Sequence, residues 1–398
     1  MSRPLVASVC AAALAVALPA RAEDPPVFKV GGFVQSQLVM QYFDDASSPN
    51  AKDGVLPDGF GPQTLGVKTD GTTTNQTFFR VRRARIKVEA TPAPYARFVY
   101  EIDPFPVGGQ TSEAGTMARN VEAIGVVSLG DLGKLEIGAG IFKVPFGYEV
   151  LQSDADRPFI ERSGGVQNMV PAEFDLGARA MATLFDKRLV VQLGLVNGQT
   201  EGEKAFVRLP DLNAHKDLAG RARWDFGPFE LGLSGYVGRG IVLDATTQRF
   251  AGFPKRAVDF EAALHHKLVP SLGETRVFAE LILGKNMDHG LRYAFAFPVL
   301  PTGKGEVADL SQRSAFVRVE QDLGRRFALG LRWDRYTPDT TQDANARTAL
   351  GAVFVVRFGR ALSFATEYTH VADDVHKPSA SAANKKTHVM SYLLQARF

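Results

Sequence analysis

The chain has 398 residues with 46 Lys and Arg against 43 Asp and Glu, a formal net charge of +3, which excludes a strongly basic nucleic-acid binder and an acidic-tail protein. A single cysteine excludes a disulfide scaffold, and after the first twenty or so residues no apolar run is long enough for a transmembrane helix. Its near-zero mean hydropathy fits a soluble protein and a transmembrane β-barrel equally, because lipid-facing and lumen-facing residues cancel in a barrel.

The N-terminus carries Arg3, an apolar run from Leu5 to Leu18, and Ala20-Arg21-Ala22 before the polar Glu23-Asp24-Pro25-Pro26. This pattern predicts a secretory signal peptide over 1–22, cleaved after Ala22, and the run is short for an uncleaved anchor. Cys10 lies inside that run, so the mature chain from Glu23 is expected to be thiol-free; losing Arg3 and Arg21 lowers the charge of +3 to +1. Any preference for anions must then come from local placement of charge.

About sixteen segments of roughly ten residues with period-two alternation follow in order. In the first half they are 27–42, 76–90, 95–103, 119–129, 134–142, 175–185, 189–197 and 218–226. In the second half they are 229–237, 257–268, 274–283, 313–322, 327–336, 347–358, 361–370 and 387–398. The connections alternate in length. Tight turns such as Thr91-Pro92-Ala93-Pro94, Gly227-Pro228 and Gly359-Arg360 are separated by long polar stretches such as 43–75, 143–174, 198–217, 238–256 and 284–312. One end of the structure is therefore all turns and the other all loops, and a soluble sandwich has no reason to sort its connections this way. The expected fold is all-β: one domain, 23–398, forming a 16-stranded antiparallel transmembrane β-barrel with short periplasmic turns and long extracellular loops.

The stretch Gln76 to Ala90 carries the most charge. Ala84, Ile86, Val88 and Ala90 alternate with Arg83, Arg85, Lys87 and Glu89, giving one oily face and one charged face. Arg80 and Arg82 break the alternation, and are expected to snorkel toward water where the strand leaves the membrane. A charge on the lipid face near the midplane costs about 2–4 kcal/mol, so the charged faces must line a hydrated lumen. By the same parity Arg97, Arg179, Arg221, Arg223, Arg276, Arg318 and Arg332 project inward. Glu89, Glu101, Asp103, Glu136, Asp259, Glu261, Glu280, Glu320, Asp334 and Glu367 share that face. Such a lumen offers two roles at once: a ladder of weak anion contacts, and a network of cross-strand ion pairs that stiffens the wall.

Arg80-Val81-Arg82-Arg83-Ala84-Arg85, the stretch Phe142-Lys143-Val144-Pro145-Phe146-Gly147-Tyr148-Glu149 and the terminal Phe398 together resemble the phosphate-selective porin O and P family of Gram-negative outer membranes. The resemblance covers essentially the whole mature chain. It implies a location in the bacterial outer membrane, a homotrimer, recognition of Phe398 by the barrel-assembly machinery, and a third external loop folded into the pore, here 143–174. That loop carries Lys143, Arg157 and Arg162 as cations, and Glu149, Asp154, Asp156 and Glu161 as anions. For each of these the competing role is merely to solubilise and staple an external loop.

The expected function is a passive channel for small hydrophilic solutes, anions including phosphate among them, with no cofactor and no nucleic-acid partner. The candidate anion-contacting set is Arg83, Arg85, Lys87, Arg97, Lys143, Arg157, Arg162, Arg179, Arg221 and Arg223. A surface adhesin or receptor, an outer-membrane enzyme, and a sugar or peptide channel are the alternatives. No histidine pair has metal-ligand spacing, since His265 and His266 face opposite sides of a strand, and no nucleotide loop or serine elbow is present. Phe28, Phe33, Tyr42, Phe43, Trp224 and Trp333 are expected as interfacial girdle residues.

Overall fold

The computed structural model describes residues 26–43, 75–103, 117–170, 173–198, 215–244, 249–287, 310–341, 346–373 and 385–398. The expected leader 1–22 and most of the long connections lie outside them. Sixteen strands follow one another in chain order. They are β1 (Val27–Phe43), β2 (Gln76–Ala93), β3 (Ala96–Asp103), β4 (Met117–Ser128), β5 (Gly133–Lys143), β6 (Phe174–Leu184), β7 (Leu189–Val196) and β8 (Asp217–Asp225). The second half holds β9 (Phe229–Asp244), β10 (Arg249–Val269), β11 (Gly273–Lys285), β12 (Ser311–Leu323), β13 (Phe327–Thr337), β14 (Arg347–Phe358), β15 (Leu362–Asp373) and β16 (Lys385–Arg397).

Each strand pairs antiparallel with its sequence neighbours, and β1 pairs with β16 from Phe33↔Arg397 to Phe43↔Thr387, so the sheet closes on itself. Closure leaves no unpaired edge, which a sheet in hydrocarbon cannot tolerate. The seam is finished by the chain terminus: Gly32 N donates to Phe398 O and Phe398 N to Gly32 O, both at 3.1 Å. A Cβ on residue 32 would collide with the Arg85 carbonyl and lie 2.7 Å from the Phe398 ring, so only glycine lets the terminal aromatic lie across the seam.

The alternation read from the sequence is the alternation of burial. On β13, Phe327, Leu329, Leu331 and Trp333 are exposed outward while Ala328, Gly330, Arg332 and Asp334 are buried inside. The outer wall is therefore apolar and the inner wall polar. At one end the strands are joined by short connections, and the long connections gather at the other.

Three expectations are corrected. Phe33 is not an outer girdle residue but faces the lumen, 9% exposed, with the Arg85 guanidinium 5.6 Å from its ring centroid. The stretch 238–256 is not a free connection. It continues the β9–β10 ladder out to Asp244↔Arg249, with Gly240↔Phe253 and Ile241↔Gly252 as ordinary ladder neighbours. Alternation persists there, with Phe253 and Lys255 buried and Pro254 and Arg256 exposed, but glycines and outward arginines hide it from a search for apolar faces. Arg80 and Arg82 do not snorkel along the outside. Gln35 pairs with Arg83 but Ser36 with Val81, so Arg82 is an extra residue, a bulge that switches the parity of β2. Phe79, Val81 and Ile86 stay outside, and Arg80, Arg82, Arg83, Arg85 and Lys87 all enter the lumen. A second bulge sets Arg119 between Ala118, opposite Ile102, and Asn120, opposite Glu101.

Candidate functional site: the inward loop and its chamber

The connection between β5 and β6 turns into the barrel instead of away from it. Gly147, at φ 72°, reverses the chain into α1 (Tyr148–Leu151), and α2 (Gly164–Met169) follows. Phe146 is fully buried edge-on to Tyr236 at 6.2 Å, in a cluster with Val150, Val166, Met169, Phe316 and Tyr336. Phe159 is also fully buried, packed with Ile160, Ala328, Val353 and Leu393. Gly330 and Gly351 make its bed: a Cβ on either would lie 3.0 or 3.1 Å from the Phe159 ring. These apolar residues would have no reason to be on a solvated external loop; burying them inside the barrel supplies about 1.5–3 kcal/mol each.

Charges then fix the loop between two unlike walls. On the β2 side, Arg82 holds Glu161 with two parallel bonds, Nε to Oε1 at 2.9 Å and Nη2 to Oε2 at 2.6 Å, and Arg80 Nη2 adds a third at 3.0 Å. Asp154 receives Arg85 at 2.7 Å, Arg83 at 3.3 Å and the loop's own Arg157. Across the lumen the polarity is reversed, and wall carboxylates accept from loop backbone N–H groups. Glu280 takes the N–H of Glu149 at 3.1 Å, Asp334 that of Gly164 at 3.2 Å and Glu367 that of Ile160 at 2.6 Å. Arg332 donates to the Glu161 carbonyl at 2.6 Å and lies 4.6 Å from the Phe159 ring centroid. The lumen is thus cationic along β2, whereas β10–β15 bury Asp259, Glu261, Glu280, Glu320, Asp334 and Glu367 together with Lys255, Arg318, Arg332 and Arg347.

On the cationic side, below the loop, lies a chamber of about 450 Å³. Lys29, Arg85, Lys87 and Lys143 line it with Glu89 and Glu101, and Ser153 of the loop faces it. Lys143 is anchored by donating to the carbonyls of Val150 and Gln152 at 2.8 and 2.7 Å. The chamber's charges are four cations against two carboxylates, and three of the cations are engaged: Arg85 by Asp154, Lys87 by Glu89 at 2.5 Å and Lys143 by Glu173 at 3.2 Å.

Residues 62–234 match the family model described as phosphate-selective porin O and P, a span that includes the β2 arginines and the whole inward loop. The barrel has the fold of the bacterial outer-membrane porins. Solved structures agree in fold across nearly the full length. An anion-selective porin from Comamonas acidovorans superposes with a TM-score of 0.56 at 10% identity, covering 94% of this chain and 100% of that one. The outer-membrane channel DcaP of Acinetobacter baumannii gives 0.59 at 11% identity, covering 95% and 99%. The trimer form of OmpT from Vibrio cholerae gives 0.53 at 9% identity, covering 94% and 100%. At these identities the likeness speaks for the fold. No curated protein matches the chain in sequence.

With such a barrel in an outer membrane, the turn end is periplasmic and the loop end extracellular. The chamber, between the early residues of β1 and the late residues of β2, therefore opens on the periplasmic side of the inward loop. Only part of the sequence-derived cation set meets there. Arg85, Lys87 and Lys143 line the chamber and Arg83 sits just above it on Asp154. Arg157 and Arg162 are buried within the loop, the first on Asp154 and the second 3.3 Å from Glu173. Arg97, Arg179, Arg221 and Arg223 are spread around the wall in pairs with Glu136, Glu122, Glu261 and Glu230. Sequence reasoning misses Lys29, although its odd-numbered neighbours Gly31, Phe33, Gln35 and Gln37 share the inner face. It also misses Arg80 and Arg82 as lumenal residues, for which the doubled Arg82-Arg83 is the available sign of a parity switch.

Burial pushes the loop carboxyls of Asp154, Glu161 and Glu173 upward, but neighbouring cations outweigh it. Arg157 and Arg85 hold Asp154 well below its usual value, Arg82 and Arg80 hold Glu161 below, and Arg162 and Lys143 bring Glu173 to about 2. A carboxyl whose folded value is depressed contributes stability that is complete above its unfolded value and is lost as pH falls through the folded one. For Glu173 that window runs from 4.5 down to about 2. Single-channel conductance is accordingly expected to stay constant from about pH 8 to about pH 5 and to change only below about pH 4 as the loop loosens. A transition centred between about pH 6 and 7 would mean that the wall carboxylates Glu280, Asp334 and Glu367, and not the loop's own, govern its seating.

Proposed function

We propose that this porin is a passive diffusion channel for small hydrophilic solutes with a preference for anions, phosphate among them, and that the inward loop sets its narrowest passage. The carrying observation is the placement of the open chamber against the cationic β2 wall of the lumen, with Lys29, Lys87 beside Glu89 and Lys143 beside Glu173 as its amines. Several ammonium groups offer an anion multiple weak contacts, which lets it enter without being trapped. The guanidinium groups above the chamber serve a different purpose. Arg82, Arg83 and Arg85 bind loop carboxylates, so their charge goes to positioning the loop. The same reading takes the porin to be a homotrimer whose terminal Phe398, exposed on the outer face, is the handle for barrel assembly.

Reversal potential in a planar bilayer under a KCl gradient tests this. The wild-type porin is expected to prefer chloride and to show reduced conductance when phosphate is added. Joint replacement of Lys29, Lys87 and Lys143 by glutamine is expected to move the preference toward potassium and remove the effect of phosphate. An unchanged reversal potential in the triple variant would rule out the chamber as the selective element.

A further inference from the structure

The outer wall carries a charge pattern that the channel does not use. At the extracellular end of five consecutive strands an outward-facing cation caps the apolar band: Arg239 on β9, Arg256 on β10, Lys285 on β11, Arg313 on β12 and Arg335 on β13. All five have the parity of lipid-facing residues, and the four arginines are exposed. The register makes them a continuous row. Arg256 is directly opposite Lys285. Arg239 pairs with Pro254 and so lies diagonal to Arg256. Arg313 pairs with Leu283, diagonal to Lys285, and Arg335 pairs with Ala315, diagonal to Arg313. Direct and diagonal neighbours on one face of a sheet lie about 5 and about 7–8 Å apart, so each cation is within reach of the next through one shared anion.

Like charges placed side by side repel, and the inner wall of this barrel shows how the fold normally answers them, with a carboxylate beside nearly every guanidinium. Arg256, Arg313 and Arg335 have no ion-pair partner among the described residues, and no described carboxylate faces outward on these strand ends. The row is concentrated in one sector: Lys216, before β8, lies beside Arg239, and the further outward cation at this rim among the described residues, Lys386, is a single one on β16. Outward positions at the same rim on β1, β2, β3 and β7 are Tyr42, Thr77, Ile102 and Leu195.

Height identifies the partner. Below Arg335 the outward residues of β13 are Trp333, Leu331, Leu329 and Phe327, and below Arg239 those of β9 include Val237, Leu233, Leu231 and Phe229. About eight to ten residues of tilted strand span about 20–25 Å, the height of the hydrocarbon band, so the row sits where acyl chains give way to head groups. The extracellular leaflet of an outer membrane is made of glycolipid bearing phosphates at that boundary. We infer that β9–β13 form a docking surface for phosphorylated glycolipid of the outer leaflet, with the cation row on its phosphates and the apolar rows below on its acyl chains. Guanidinium groups suit this partner because each can bond a phosphate through two N–H groups.

The test compares three forms of the folded porin, each confirmed by its heat-modifiable mobility on gels: wild type, R256Q/R313Q/R335Q, and the charge-matched R325Q/R326Q/R360Q on the periplasmic turns. Each is incubated with lipopolysaccharide vesicles and the glycolipid retained per barrel is counted by native mass spectrometry. The extracellular triple is expected to lose at least fivefold of the retained glycolipid while the periplasmic triple matches wild type. Wild-type porin incubated with the same lipid after enzymatic removal of its lipid A phosphates is expected to show the same loss. Equal retention by the extracellular triple, or undiminished retention of the dephosphorylated lipid, would overturn the inference.

Discussion

Replacing Glu161 by alanine is expected to release the inward loop from β2 and to raise single-channel conductance severalfold. Arg82, only 1% exposed, gives two of its N–H groups to this carboxylate, and Arg80 gives another. Removing one partner of a buried pair leaves an uncompensated charge and costs about 3–5 kcal/mol. The cost falls on the loop and not on the barrel, because no ladder bond of the sixteen strands involves Glu161; the loop can relieve it by leaving its seat and letting water reach both guanidinium groups. The aromatic anchor at Phe159 and the Arg332 bond to the Glu161 carbonyl oppose that release, so the loop is expected to become loose on the β2 side first. Limited proteolysis between Ser153 and Glu161 should then appear alongside the larger conductance. Unaltered conductance together with unaltered protease resistance would mean that the apolar contacts alone seat the loop.

Asp154→Asn is expected to act on selectivity more than on size. Asparagine keeps the shape of the side chain but removes the charge that Arg83, Arg85 and Arg157 share, and Arg85 lines the chamber. One uncompensated charge at about 5 Å in water is worth about 0.8 kcal/mol, a change of about fourfold in the ratio of anion to cation permeability. Because the chamber is hydrated, the gain should be clear at about 0.1 M salt and nearly gone at about 1 M, where screening acts over about 3 Å. A ratio that stays constant in low salt would show that permeating ions do not sense Arg85.

The barrel itself is legible in the sequence because the lipid enforces it. Outward positions within the membrane are predominantly apolar and uncharged, so alternation such as Leu329, Leu331 and Trp333 against Gly330, Arg332 and Asp334 is written directly into the chain, and the closed order of sixteen strands follows from the sorted turns and loops. Legibility fails where that constraint is lifted. Beyond the membrane, Gly238, Gly240 and Arg239 continue β9 without an apolar face, so this part of the strand reads as a connection. At Arg82 a bulge shifts parity by one residue, and two arginines that look misplaced are lumenal ones on the other side of the shift. The site is legible in residue type but not in role. The loop's carboxylates and the β2 cations both stand out in the chain. Their pairing depends on a chain reversal at Gly147 that brings Glu161 to Arg82, 79 positions away. Phe159 offers no signal, since a lone aromatic on a predicted external loop looks the same whether or not two wall glycines make room for it.

The proposed place of the inward loop beside the ion path is tested directly by a single added thiol. Cys10, in the expected leader, is the only cysteine of the chain, so a Ser153→Cys variant carries one new thiol in the mature porin, on the loop residue that faces the chamber. A positively charged thiol-specific methanethiosulfonate reagent added during a single-channel recording is expected to cut each open current in one irreversible step and to increase anion preference in what remains. Complete labelling of the introduced thiol by mass spectrometry, with current and reversal potential both unchanged, would contradict this placement of the loop.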